Sequence, residues 1–217
     1  RFNWDLNTSF TGKDLLYTRL RSGNMDNIFT DNNSYLSDAK DNSDALKIDK
    51  LWYTFPIGDE FKITVGPLIE NYYMVETPTR YKPVLKAFKL GGYGALMGAQ
   101  SGGGAGIQWR QNVPRGEAAL NIAANYTTDD GEAASSDSTK GMFGSASDGY
   151  FLSQIGYGNR EWYVAAMYAH KHGDGGSNPT VGYSTDLAGA TEDALNVYGL
   201  RGYWTPQESG IIPSISA

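Results

Sequence analysis

Cysteine is absent from all 217 residues, which excludes a disulfide framework, thiol catalysis and a zinc site of the cysteine type. Long apolar runs are absent as well. No stretch approaches the roughly 18–20 residues that a membrane-spanning helix needs, so a helical membrane protein is excluded while a membrane β-barrel is not. Positive charge is scarce: 18 Lys and Arg face 24 Asp and Glu, a formal charge of −6, and the basic balance expected of a nucleic-acid-binding domain is missing. Neither an initiator Met nor a hydrophobic signal precedes Arg1, which points to a processed product or a portion of a longer chain.

What the sequence does have is alternation. Phe2, Trp4, Leu6 and Phe10 interleave with Asn3, Asp5, Asn7 and Ser9, giving a strand with one apolar and one polar face. After Thr11-Gly12-Lys13, Leu16, Thr18 and Leu20 alternate with Tyr17, Arg19 and Arg21 and complete a hairpin. A third strand places Leu46 and Ile48 on one parity and Leu51, Tyr53 and Phe55 on the other, a slip that a β-bulge near Asp49-Lys50 explains. Pro56-Ile57-Gly58-Asp59 reads as a turn into Phe61, Ile63 and Val65. Further strands are expected near 105–112, 117–127, 150–157, 161–170 and 195–204, with a tenth starting over 211–215.

The connections sort by length, short near 11–13, 56–60, 113–116 and 158–160, long at 23–44, 67–104, 128–149 and 171–194. Strands of about ten residues with aromatic ends, short turns on one side and long loops on the other suggest an up-and-down outer-membrane barrel with aromatic girdles. A soluble antiparallel sandwich alternates in the same way but has no reason to sort its loops.

Charge is sorted too. Three long loops (23–44, 128–149, 171–194) hold 14 acidic residues against Lys40, Lys140 and Lys171, a balance of −11 that leaves +5 on the remainder. The polar stripe of the strands carries Arg1, Arg19, Arg21, Lys47, Lys62, Arg110 and Arg201, with Asp5 and Glu161 among its few acids. In a barrel these residues line the pore, and such rings favour anions. The longest connection, 67–104, offers Tyr72, Tyr73, Arg80, Tyr81, Lys82, Lys86 and Lys89, opposed by Glu70 and Glu76, as a candidate constriction loop; the alternative places it outside the barrel.

Other chemistry is weakly signalled. The glycine-rich stretch from Gly91 to Gly106 lacks the Gly-Lys-Ser/Thr ending of a phosphate loop and reads as a flexible loop. His170, His172 and Asp174 make a conceivable metal cluster, although solvated histidines at a strand end are the simpler reading. Asp129-Asp130-Gly131-Glu132 lacks the carboxylate spacing of an EF-hand loop. No serine sits in a nucleophile elbow, so no enzyme, cofactor or metal is expected.

Leu6-Asn7-Thr8-Ser9-Phe10-Thr11-Gly12-Lys13-Asp14-Leu15-Leu16, followed by Thr18-Arg19-Leu20 and Gly23-Asn24, resembles the opening barrel segment of the cyanobacterial major outer-membrane porins, within the wider carbohydrate-selective porin family. Trp52 with Phe55–Asp59, the block Tyr81–Phe88, Gly106–Arg110, and Trp204 before Ile212–Ser216 are similar to that family in the same order. The resemblance implies that residues 1–217 are the front of a porin barrel of about 16 strands. It further implies a passive channel for small hydrophilic solutes and inorganic ions in the cyanobacterial outer membrane, surrounded by lipid and assembled as a homotrimer. Some relatives are labelled iron-uptake porins. Relatives also carry an N-terminal S-layer-homology domain and coiled coil that hold the barrel to a cell-wall polymer; neither is found in this chain. The alternative in the same envelope is a structural or adhesive barrel with a plugged lumen.

Overall fold

A computed structural model describes residues 2–25, 40–76, 96, 100–128, 136–137, 139, 141–144, 147–172, 194–205 and 215–216. Nine long strands form one antiparallel sheet: β1 (Phe2–Thr8), β2 (Leu15–Ser22), β5 (Lys47–Ile57), β6 (Phe61–Glu70), β7 (Ser101–Arg110), β8 (Ala119–Thr128), β9 (Gly149–Gly158), β10 (Trp162–His172) and β11 (Ala194–Trp204). The two-residue β12 (Ile215–Ser216) lies at the far edge, and every strand pairs with its sequence neighbour in the sheet. Two short strands, β3 (Asn24–Met25) and β4 (Lys40–Asp41), make a separate ribbon inside what the sequence reads as one long loop. The chain is therefore all-β, an antiparallel meander, and no α-helix occurs among the described residues.

The alternation read from the sequence is the alternation of the two faces. In β8, Asn121, Ala123, Asn125 and Thr127 are buried on one face while Leu120, Ile122, Ala124 and Tyr126 occupy the other. The expected bulge lies where the parity slips: Arg19 pairs with Lys50 and Leu20 with Ile48, so Asp49 is the extra residue. It keeps both Arg19 and Arg21 on the polar face opposite lysines.

Three expectations are corrected. The turn after β5 does not begin at Pro56, which pairs with Lys62 inside the ladder; the reversal waits for Gly58, whose φ of 63° is the left-handed region that glycine enters without penalty. The supposed 67–104 loop yields both of its ends to strands, since β6 continues to Glu70 and β7 begins at Ser101. The glycine-rich run up to Gly106 is thus partly strand, with Gly104 opposite Thr127 and Gly106 opposite Asn125. Gly106 has no room for a side chain because something packs on it. A Cβ on Gly106 would lie 2.8 Å from Met74 Sδ and 2.7 Å from Asn125 Cβ.

What packs there is the 3-10 turn Asn71–Met74 and its continuation to Glu76. On one side Tyr73 meets Trp52 in a tilted ring contact at 4.8 Å, and Trp52 stacks on Tyr17 at 4.2 Å. On the other, Val75 and Tyr72 join Ala123, Leu152, Met167 and Ala169 in a cluster. The two side-chain clusters that this segment joins thus reach from Tyr17 of β2 to Met167 of β10, strands six steps or roughly 29 Å apart in a flat sheet. The sheet curls toward its polar face around it.

At the β1–β2 turn, the Asp14 carboxylate accepts hydrogen bonds from Thr11 Oγ1 (2.5 Å), Thr11 N (2.7 Å), Ser9 Oγ (2.8 Å) and Tyr53 OH (2.7 Å). The Thr11 hydroxyl first, then Tyr53, holds the carboxyl far below the usual range, against the opposing effect of burial. A depressed folded pKa contributes stability above the ordinary value of 3.8 and loses it as pH falls through the folded value. Asp14→Asn is therefore expected to unfold at lower denaturant than the parent at about pH 6, with the gap closing toward about pH 2. Gly106→Val, which drives Cβ into Met74, is expected to cost roughly 1–3 kcal/mol in the same unfolding assay.

Candidate functional site

Directly opposed residues of neighbouring strands share a face, so register places the sequence-predicted residues without ambiguity. Arg19 lies opposite Asp5 and Lys50, Arg21 opposite Lys47, Lys62 opposite Gln108, and Arg110 opposite Asn121, whose row continues through Gly156 and Ala165 to Arg201. All six described members of the expected pore-lining set stand on the polar face; Arg1 lies outside the described residues. Of the expected constriction residues, Tyr72 and Tyr73 lie against this same face, while Arg80, Tyr81, Lys82, Lys86 and Lys89 lie outside the described residues.

The face is less nakedly basic than the sequence suggests. Toward the long-loop end, Arg19 Nε binds Asp5 at 2.6 Å and Arg21 Nη1 binds Asp49 at 2.6 Å, with Arg19 Nη1 and Asp49 at 3.9 Å. Buried Lys50 meets Glu70 at 2.9 Å, and Glu70 also accepts a hydrogen bond from Tyr72. Sequence reading missed Asp49, Lys50 and Glu70 as members of this network. The bulge was the available signal, because inserting Asp49 shifts Lys50 onto the polar parity.

Toward the short-turn end the arrangement differs. Arg110 Nη1 binds Glu76 at 2.9 Å. A cavity of about 580 Å³ opens beside it, bordered by Lys62, Tyr73, Glu76, Arg110 and Asn121. Behind Asn121, its Oδ1 accepts from Tyr163 OH (2.8 Å) and Gln154 Nε2 (3.2 Å), and Gln154 Oε1 in turn accepts from Arg201 Nη2 at 2.5 Å. Arg201 is only 7% exposed, and its Nε and Nη1 have no hydrogen-bond partner among the described residues.

His170, expected at a strand end, lies on the opposite, apolar face, 2.9 Å from Asn196 Oδ1. No group of three or more metal-ligating side chains occurs among the described residues; Asp129, Asp130, Glu132 and Asp174 lie outside them.

The apolar face is the larger surprise in a protein this polar. Leu200 is 87% exposed, Tyr198 78%, Phe2 60% and Val164 56%, and exposed apolar side chains occur on every long strand of the sheet except β2, whose residues are half-buried. Aromatic side chains gather at two levels on it. Phe10, Tyr53 and Phe55 touch in series near the short turns, as do Tyr157 and Trp162; Tyr126, Phe151, Tyr168 and Tyr198 cluster toward the long loops. From Phe151 to Tyr157 the levels are roughly 20 Å apart.

No protein-family model and no solved structure matches the chain. It is 28% identical over 226 residues to the uncharacterized protein sll0772 of the cyanobacterium Synechocystis sp. (strain ATCC 27184 / PCC 6803 / Kazusa). The match covers 94% of this chain and 38% of that protein, so the chain spans under two fifths of the relative's length.

The ion pairs make a stability test. Removing one partner of a buried pair costs about 3–5 kcal/mol because the other charge is left behind. Lys50→Met is expected to destabilise by that order, and the double variant Lys50→Met/Glu70→Gln by less than the sum of the two single ones. Chemical unfolding in detergent reads all three.

Proposed function

We propose that the chain forms part of an outer-membrane β-barrel porin, a passive channel for small hydrophilic solutes and inorganic ions with a positively biased, polar lumen. The observation that carries this reading is the exposed apolar face. An apolar surface exposed on eight of nine antiparallel strands far exceeds what a soluble monomer leaves in water, whereas lipid covers it at no cost. Strands of ten or eleven residues from β5 to β11, and two aromatic levels near the two edges of the apolar band, agree with it. The opposite face, with its charges and amides, then lines water. Permeation needs no catalytic group: solutes are sieved by what occupies the lumen and selected by its field. A barrel of about 16 strands, completed by chain beyond these residues and assembled as a homotrimer, is the expected whole. Attachment to a cell-wall polymer belongs to a domain outside this chain, and iron or sugar passage would be diffusion of small species.

One observation favours a second reading. The segment Asn71–Glu76 is seated on the polar face and buries Met74 and Val75 there, as the plug of a structural envelope barrel would. Planar-bilayer recording of the detergent-purified full-length protein separates the two. Discrete conductance steps with an anion-selective reversal potential across a potassium chloride gradient are the expected result; a folded, inserted protein without steps sinks the porin and leaves the plugged barrel. Lys47 and Lys62 have no ion pair within 4.0 Å among the described residues, so Lys47→Glu/Lys62→Glu is expected to move the reversal potential toward cations without dismantling the network at Arg19 and Arg21.

A further inference from the structure

We infer that the cavity at the short-turn end of the polar face is a binding station for a small zwitterionic amide, a solute of the dipeptide class. The inference deepens the porin reading and rests on it, because the polar face has to be open to solutes.

The cavity has room for such a ligand, since about 580 Å³ lies within the roughly 300–1,000 Å³ of small-molecule sites. Its wall is charged but balanced, with Lys13, Lys62 and Arg110 set against Asp59, Glu60 and Glu76. A balanced wall gives a simple anion or a simple cation no net advantage. It favours a solute that carries both charges at the spacing of the wall.

That spacing follows from register. Glu60 lies opposite Arg110, whose backbone N–H donates to Glu60 O at 2.9 Å, and the Glu76 carboxylate is bonded to the Arg110 guanidinium at 2.9 Å. Lys62 pairs with Gln108, two residues further from the short turns on the same face, and makes no ion pair within 4.0 Å among the described residues. Two residues of strand are roughly 7 Å. An extended dipeptide separates its ammonium from its carboxylate by about the same length.

Between these charges the wall offers what a peptide bond needs. Gln108 and Asn121 are diagonal neighbours on the polar face, because Gln108 pairs with Ala123 and Arg110 with Asn121. Both line the cavity, and Gln108 Oε1 and Asn121 Nδ2 are buried without a hydrogen-bond partner among the described residues. Asn121 is only 2% exposed, and its Oδ1 is already taken by Tyr163 OH and Gln154 Nε2. One spare acceptor and one spare donor match the N–H and C=O of an amide. Buried groups of this kind are costly to leave unmet, so a ligand that meets them gains over one that does not. In the bound arrangement the ligand carboxylate accepts from Lys62 Nζ and its ammonium donates to Glu76, with Asp59 and Glu60 adding negative charge from the turn. Glu76 and Arg110 are near half exposed, which keeps occupancy weak enough for the release that transit through a channel requires.

The test is a saturation-transfer NMR titration of the folded, detergent-purified full-length protein with dialanine, alanine and N-acetylalaninamide. Dialanine carries both charges and the amide between them; alanine lacks the amide, and N-acetylalaninamide lacks the charges. Dialanine is expected to bind about tenfold tighter than either control. Lys62→Gln and Gln108→Leu are each expected to weaken dialanine about fivefold, and Gln108→Leu to leave alanine unchanged. Lys62 is an exposed side chain, so its variant decides the matter even if Gln108→Leu does not fold. Equal affinity for the three ligands, undiminished dialanine binding in Lys62→Gln, or no signal from any ligand overturns the station. Bilayer recording of the same preparations keeps the two ideas apart: conductance steps without the dialanine preference retain the porin and remove the station, and the preference without steps does the reverse.

Discussion

The seating of Asn71–Glu76 on the polar face is the contact on which the rest depends. A sheet with an apolar exterior has no reason of its own to build a core on its polar side, and yet Ile69, Met74, Val75, Tyr150 and Leu152 are essentially buried there. They are buried because the segment brings its own apolar surface inward and finds small residues waiting. Gly66, Gly104 and Gly106 leave backbone exposed at the points where a side chain would collide with Trp52, Thr127 and Met74. The Asn125 amide then donates to Asn71 O at 3.1 Å, so the turn's freed backbone is satisfied by the sheet it lies on. Packing and hydrogen bonding agree on one position, and that position curls the sheet.

Charge follows from the same geometry. At one end of the polar face, acids delivered by β1, the β5 bulge and the end of β6 neutralise the arginines and a buried lysine within about one bond length of ideal ion-pair contact. At the other end Arg110 finds its carboxylate on the inserted segment, at Glu76. A single structural element therefore narrows the free cross-section beside the sheet and adds a carboxylate to its charge network. That is why the open and the plugged readings share so many residues and separate on conductance.

Much of this was legible in the sequence. Hairpins, strand periods and the β5 bulge all leave parity signals that survive without coordinates, because a strand with one face in water and one against apolar surroundings has no choice but to alternate. The placement of Arg19, Arg21, Lys47, Lys62, Arg110 and Arg201 on one face came from the same rule. What misled was glycine. Gly102 to Gly106 has only Ala105 to show an alternation, so composition alone reads it as loop, although β7 runs through it, paired to β6 on both sides of a register shift. Pro56 misled likewise, since it fits the strand at a position where the ladder tolerates it.

The sequence by itself determined that this is an antiparallel β protein with one polar and one apolar stripe, because a two-residue period and turn chemistry are local properties. Only the tertiary structure decided which charges meet. Lys50 and Glu70, Arg110 and Glu76, and the unsatisfied Arg201 lie 20 to 47 residues from the groups that define them, counted from Lys50–Glu70 to Arg201–Gln154. No local pattern encodes those distances. They exist because a curled sheet brings distant strands around one inserted segment.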